Sequence, residues 1–226
     1  IERVRLGSAE ERAAALDQLC QAYWFPLYAY ARKIGIPQHE SEDAVQSFML
    51  DILSYDMFSR ADQEVGHLRT MLGAFTNQLK FLHRHENCIK RGGEFEHVRL
   101  PMADAEGRYQ MEIASSISPP DVIYHRQWAE NLVTRALQRV EDRFAQAGKP
   151  ERFRVLRNHL PGNQALDDDA DALSLGMTAG AFRTAVSRTR QLFLECLRDE
   201  VRQTIGTDDR DMIDNELREL LQTLSS

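Results

Sequence analysis

The stretch DALSLGMTAGAFRTAVSRTRQLF, Asp171 to Phe193, decides the fold. Small residues sit among apolar ones at helical steps, and Arg183, Arg188 and Arg190 follow with no acid between them. Ala172 stands four residues before Gly176, and Phe182 six after it. Such spacing suits a helix-turn-helix unit. The first helix needs a small residue where the second crosses it, the tight turn favours glycine, and an apolar residue then packs the second helix down. Thr178 is placed to cap that second helix, because its hydroxyl can accept an N–H that the first turn leaves unpaired. The predicted buried face is Phe182, Val186, Thr189, Phe193 and Leu197. The opposite face carries Gly180, Arg183, Thr184, Ser187, Arg188 and Gln191. Arg, Thr, Ser and Gln are side chains that contact phosphates and base edges in the major groove. The same spacing also suits an ordinary helical hairpin with a solvated basic face. Asp167, Asp168, Asp169 and Asp171 load the first helix with charge unfriendly to phosphate.

Outward from this stretch the pattern stays helical. Trp128, Leu132, Val133, Ala136, Leu137, Val140 and Phe144 mark a long amphipathic helix, ended by Gly148 and Pro150. Phe153, Leu156 and Leu160 mark a short one, stopped by Pro161-Gly162. These helices can scaffold the two-helix unit. Ile213, Leu217, Leu220, Leu221 and Leu224 mark a last amphipathic helix. Towards the N-terminus, Ser8 and Glu11 have capping-box spacing, and Ala15, Leu16, Leu19 and Tyr23 continue a helical stripe. That helix breaks at Gly35 and Pro37. The chain restarts with Glu40, Glu42 and Asp43, acids that favour a helix N-terminus. Ala44, Val45, Phe48, Met49 and Ile52 then share one face; Gln46, Asp51 and the edge residue Met49 are candidates to meet another protein. A third helix runs through Leu68, Met71, Leu72, Phe75, Leu79 and Leu82. Between Glu94 and Pro120 the periodicity fades into a polar, mildly acidic stretch ending in Pro-Pro, which reads as an inter-domain linker. No strand pair or repeat stands out. The expectation is an all-α chain of two helical domains and an extended linker.

Composition narrows the function. The 226 residues are 42 % hydrophobic and 28 % charged, enough for a core in each half and unlike a disordered chain. A net charge of −7 argues against coating nucleic acid by bulk electrostatics and leaves room for local basic patches. Cys20, Cys88 and Cys196 are odd in number and far apart, which suits a reducing cytosol. His83, His85 and Cys88 lack the second ligand pair that a structural zinc requires, so no metal is expected. No signal peptide or membrane span is visible; the chain begins at Ile1 rather than Met, as when a short leader is missing. No glycine-rich phosphate loop or catalytic triad stands out, so neither enzyme activity nor a cofactor is expected. One basic run, NQLKFLHRHENCIKRGG, sets Lys80, His83, Arg84, Lys90 and Arg91 around Phe81. Cations with an aromatic suit melted nucleic acid. They also suit a plain solvated helix C-terminus.

The whole layout resembles a bacterial sigma factor of the extracytoplasmic-function type, in the variant common in planctomycete-like bacteria. YWFPLYAYARKIGIPQHESEDAVQSFMLDIL is similar to the family's second conserved region. HLRTMLGAFTNQLKFLHRHENCIKRGG resembles the stretch that melts and reads the −10 element. DVIYHRQWAENLVTRALQRVEDRFAQAGKPERFRVLRNHL with LGMTAGAFRTAVSRTRQLFLECLRDEV resembles the fourth region. The resemblance implies a domain over 1–93 that docks on core polymerase and meets the −10 element. It implies a linker over 94–120, a −35 domain over 121–205 with the helix-turn-helix, and an amphipathic extension over 206–226. Asp43, Gln46, Phe48, Met49, Asp51 and Leu53 would meet the clamp helices of the largest polymerase subunit. Asn77, Lys80, Phe81, His83, Arg84, Lys90 and Arg91 would serve the −10 element. Thr76 stands where the family usually has Arg, and Lys80 where an acid is common. Thr178, Gly180, Arg183, Thr184, Ser187, Arg188 and Gln191 would serve the −35 element. The linker would thread the polymerase channels, with Asp104 and Glu106 mimicking nucleic-acid charge.

The implied partners are core polymerase, including the flap of its second subunit, and promoter DNA, in the cytoplasm and away from membrane. In many relatives an anti-sigma protein covers the polymerase-binding faces. The extension could do this in cis by packing its leucine stripe on either domain. Two other readings fit parts of the chain. One is a stand-alone helix-turn-helix regulator, with the last helix as a dimer seam. The other is a sigma-like interaction protein with degenerate DNA contacts.

Overall fold

The computed structural model describes residues 9–54, 67–85, 104–161, 167–205 and 208–225, and not the side chains of 9–16, 18–19, 53–54, 67–70, 81–85 and 225. Among the described residues the chain is all-α, with no strand. The helices are α1 (Ala9–Lys33), α2 (Gln38–Ser54), α3 (His67–His85), α4 (Ala105–Glu112), α5 (Pro120–Gln146), α6 (Pro150–Leu156), α7 (Asp168–Ser174), α8 (Ala179–Ile205) and α9 (Arg210–Ser225). A short 3-10 turn, Arg157–His159, extends α6. None of these helices is long and apolar enough to cross a membrane. The chain forms two compact units: Ile1–Glu130 with Arg202–Ser226, and Asn131–Val201.

The first unit is organised around α1. Every residue from Ala22 to Ala29 is buried, so the helix has no solvent face there. A helix apolar on all sides must be covered on all sides. The sequence AYWFPLYA supplies four aromatic rings to that stretch and even a proline. Pro26 lies inside α1 and brings no N–H to the ladder, at a typical cost of about 3 kcal/mol. The covering helices offset it. On α2, Ala44, Val45, Phe48, Met49 and Ile52 are buried, as their shared face predicts. Phe48 meets Phe75 of α3 at 5.2 Å between ring centroids. Tyr23 meets Trp128 of α5 at 6.4 Å. Between α1 and α2 the chain turns at Gly35, whose φ of +96° is left-handed. There Ile36 N–H reaches Ala31 O and Gly35 N–H reaches Arg32 O, both at 3.1 Å, a Schellman end.

Residues 104–120, read from sequence as linker, hold a helix instead. Ala105, Tyr109 and Ile113 are buried, and they recur every four residues. Tyr109 packs edge-on against Tyr28 at 6.4 Å. The Arg108 guanidinium lies 3.9 Å from the Phe25 ring centroid. Glu106 takes a two-pronged contact from Arg32, at 3.0 Å from Nε and 2.9 Å from Nη2. It also accepts a hydrogen bond from the Tyr28 hydroxyl. Lys33 donates to the Ser116 carbonyl beyond the helix. Two turns are too short to show a clear stripe in a polar stretch, which is why the periodicity fades there. The resemblance has Glu106 hold its charge out as a nucleic-acid mimic; in the fold that charge is engaged by Arg32.

The extension also belongs to this unit. Ile213, Leu217 and Leu220 of α9 are buried, while Leu221 and Leu224 of the predicted stripe are exposed. Burial pushes the phenols of Tyr23 and Tyr124 up, and the nearby Glu216 carboxylate of α9 adds to this.

In the second unit, α5 and α8 are tied by a buried carboxylate. Glu200 receives Arg135 at 2.8 Å and Arg139 at 3.0 Å. The core beneath α8 is Leu156, Ala172, Phe182, Ala185 and Val186, with Phe144, Val155, Leu175 and Met177 packed against it.

The α4 contact has a measurable acid signature. Hydrogen bonds from Arg32 lead in drawing the Glu106 carboxyl from its ordinary 4.5 down to about 2. Its stabilisation is therefore complete above about pH 4.5 and disappears as pH falls towards 2. Glu106→Gln should lose about 2 kcal/mol at neutral pH, after allowance for solvent screening. Urea melts across this acid range should fall less steeply for the variant than for the parent.

Candidate nucleic-acid interface

The helix-turn-helix spacing is realised in α7, a four-residue turn and α8. Asp167 caps α7, its carboxylate accepting from Asp169 N–H at 3.0 Å and Ala170 N–H at 3.2 Å. The turn glycine, Gly176, has φ +61°. Met177 N–H reaches Ala172 O at 2.9 Å and Gly176 N–H reaches Leu173 O at 3.0 Å, closing α7 with the same Schellman device. Thr178 then caps α8, its hydroxyl accepting from Ala181 N–H at 3.3 Å. Ala172 is buried, as the crossing residue should be. All five residues predicted for the inner face of α8 are buried: Phe182, Val186, Thr189, Phe193 and Leu197.

The outer face is exposed as predicted. Gly180, Arg183, Thr184, Ser187, Arg188 and Gln191 all face solvent. Thr184 donates to Gly180 O at 3.0 Å, and Gln191 donates to Glu195 at 3.3 Å. Arg183, Ser187 and Arg188 make no hydrogen bond or ion pair with any described residue. Among the described residues, two cations and a hydroxyl therefore stand unengaged on the first three turns of α8.

The acids of α7 have structural partners. His159 is buried; its Nδ1 lies 3.2 Å from Asp168 and its Nε2 2.7 Å from Asp171. Its ring sits edge-on to Phe182 at 5.0 Å, and its carbonyl accepts from Arg190 Nε at 2.8 Å. Asp167 thus caps and Asp168 and Asp171 clamp, though Asp167 and Asp168, like Asp169, remain exposed. Sequence reading missed His159. Its signal was present: two acids three apart on a first turn, shortly after a histidine that ends an apolar helix.

In the first unit the expected sites divide. Asn77 and Lys80 are exposed on α3, three residues apart. Phe81, His83 and Arg84 have side chains outside the described set, and Lys90 and Arg91 lie outside the described residues. The polymerase-docking set needs correction. Phe48 and Met49 are buried, Phe48 against Phe75 of α3, so they are packing residues and not a free surface. Leu53 has a side chain outside the described set. Asp43 is exposed, whereas Gln46 and Asp51 are half-buried. Asp51 accepts from Gln78 at 3.0 Å, and burial raises its carboxyl above the usual range.

Cys20 and Cys196 are free and buried, and burial pushes the Cys20 thiol up to about 11. Among the described residues no three His, Cys, Asp or Glu side chains are placed to hold a metal ion. No protein family, curated protein or solved structure matches the chain.

Stability and recognition should separate by mutation. His159→Ala strands two carboxylates and removes the ring edge on Phe182, so it should cost about 2–3 kcal/mol. Arg183→Ala removes no hydrogen bond or ion pair to a described residue and should stay within about 0.5 kcal/mol. Urea unfolding of the full chain, with amide exchange over 179–193, checks both.

Proposed function

We propose that the chain is an initiation factor of the sigma type, which brings RNA polymerase core to promoters and helps to open them. The observation that carries this reading is the outer face of α8. A capped helix behind a tight glycine turn presents Arg183, Ser187 and Arg188 without hydrogen-bond or ion-pair partners among the described residues, while its inner face is packed. Arginine forks suit guanine edges and phosphates, and a helix of this kind enters the major groove by its first turns. Of the four acids that counted against DNA contact, Asp168 and Asp171 meet His159 and Asp167 caps the α7 backbone, which leaves Asp169. Asn77 and Lys80 offer a second, smaller polar face on α3 for the −10 element.

The net charge of −7 fits a subunit that does not bind DNA alone. Core polymerase supplies most of the affinity, and two small surfaces supply register and choice. Melting in this scheme is capture of unstacked bases, which shifts a duplex equilibrium and needs no bond-making by the chain. With Phe48 and Met49 in the core, polymerase docking would fall to Asp43 and its exposed neighbours on α2. The regulator reading loses support, since the apolar stripe proposed as a dimer seam is largely buried within the first unit.

The test is transcription with core polymerase from the same source on genomic DNA, with the 5′ ends of transcripts sequenced. A shared −35 and −10 pair upstream of those ends is the expected result. Replacing Arg183 and Arg188 by Ala should weaken initiation by about 1–3 kcal/mol for each base no longer read, with core binding unchanged. A chain that does not bind core would overturn the proposal, and an indifferent double variant would remove α8 as the reading helix.

A further inference from the structure

A pocket of about 560 Å³ in the first unit lies between α4, the turn that follows it, the N-terminal part of α5 and Thr223 of α9. That is within the ~300–1,000 Å³ range of small-molecule sites. Its apolar lining is Ile113, Val122 and Ile123, the two isoleucines being buried. Its polar lining is one unbroken chain of hydrogen bonds. Arg108 Nε donates to Glu112 Oε2 at 3.0 Å, and Arg108 Nη2 donates to Gln127 Oε1 at 3.1 Å. Gln127 is buried, and its Nε2 donates to Glu130 Oε2 at 2.8 Å. Arg126 Nε donates to Glu130 Oε1 at 3.0 Å. Such a chain holds its members in place and polarises them together.

The two ends of the chain are open. Glu112 Oε1 accepts nothing from any described residue, and the terminal amino groups of Arg126 have no partner among them. A carboxylate oxygen from α4 and a guanidinium edge from α5 therefore offer opposite charges to one partly apolar space. On the turn, the Ser118 hydroxyl also has no partner among the described residues, while Ser118 N–H donates to Ser116 Oγ at 3.2 Å.

We propose that this pocket binds a short apolar peptide with free termini, its ammonium on Glu112, its carboxylate on Arg126 and an apolar side chain on Ile113 and Ile123. A carboxylate matches the flat donor edge of a guanidinium, and an ammonium donates to a carboxylate oxygen. The two open ends stand on different helices, so the ligand's own charges must be set apart. A single amino acid carries both on one carbon, whereas a dipeptide places them on different residues. The Ser118 hydroxyl is free to meet the peptide group. Thr223 brings α9 to the rim, so a bound peptide touches three of the helices that close the first unit. The inference goes beyond the sigma-type reading and does not rest on it.

The test is isothermal titration calorimetry of the full chain with L-leucyl-L-leucine as the probe. N-acetyl-leucyl-leucine lacks the ammonium, leucyl-leucinamide lacks the carboxylate, and L-leucine lacks the separation of charge. The parent should bind the free dipeptide, and each of the other three about tenfold more weakly. Glu112→Gln should bind the free and the N-acetylated dipeptide alike. Arg126→Gln should bind the free dipeptide and its amide alike. Both side chains are committed only to exposed i,i+4 ion pairs, so the Tm of each unliganded variant should stay near the parent's. Bound dipeptide should also slow amide exchange over 108–113 and 219–224. A parent that does not bind the free dipeptide overturns the proposal. So does a parent that binds the capped dipeptides as tightly as the free one, or leucine as tightly as the dipeptide. A folded Glu112→Gln or Arg126→Gln variant that keeps the parental discrimination overturns it as well.

Discussion

Everything in the first unit depends on keeping water away from the middle of α1. Eight consecutive buried residues, four of them aromatic, cannot be covered by one neighbour. A helix pair buries one stripe on each partner. Covering the whole circumference of α1 takes several helices, and they are drawn from distant parts of the sequence. α2 covers with a conventional apolar face. α4 uses a different chemistry: a tyrosine edge, a guanidinium over Phe25 and a carboxylate tied to Arg32 and Tyr28. Such mixed contacts let a short, polar helix seal an aromatic surface without a large apolar face of its own.

The second unit solves the opposite problem. There the task is to hold one helix rigid while leaving half of it bare. Phe182 is bulkier than a crossing usually accommodates, and the structure uses the size. The ring fills the centre of the core and offers a face to the edge of His159. The carboxylates of α7 then close around that imidazole. Two of the acids that make the local sequence look hostile to a polyanion therefore help to hold the packing beneath α8 in place.

Legibility followed periodicity. Where a helix is long and one-sided, as on α8, the five inner residues named from spacing are all buried, and the cap and turn glycine followed from turn chemistry. All-α architecture was equally plain. Two things were not. α4 spans only two turns, so its four-residue recurrence of Ala105, Tyr109 and Ile113 vanished among polar neighbours and a proline pair. Met49 stood at the edge of the predicted apolar stripe, and only the covering of α1 shows that the edge is core. Sequence can rank residues by face, but it cannot tell how many sides of a partner helix will demand burial. Residues of the candidate interface that depend on packing were legible. Residues that depend on which distant helix borders a surface, such as Thr223 beside α4 and α5, were not.

The first unit is closed by α9, which is made long after the helices it covers. Tyr23 and Glu216 are neighbours in space and lie near opposite ends of the described chain. At ~5–20 residues per second, synthesis leaves the α1 aromatics waiting for this last covering helix for tens of seconds. In that interval the second unit, whose residues are contiguous, has everything it needs to fold. The nascent chain would thus hold a finished second unit while the first is unfinished, with exposed aromatic surface for chaperones to shield.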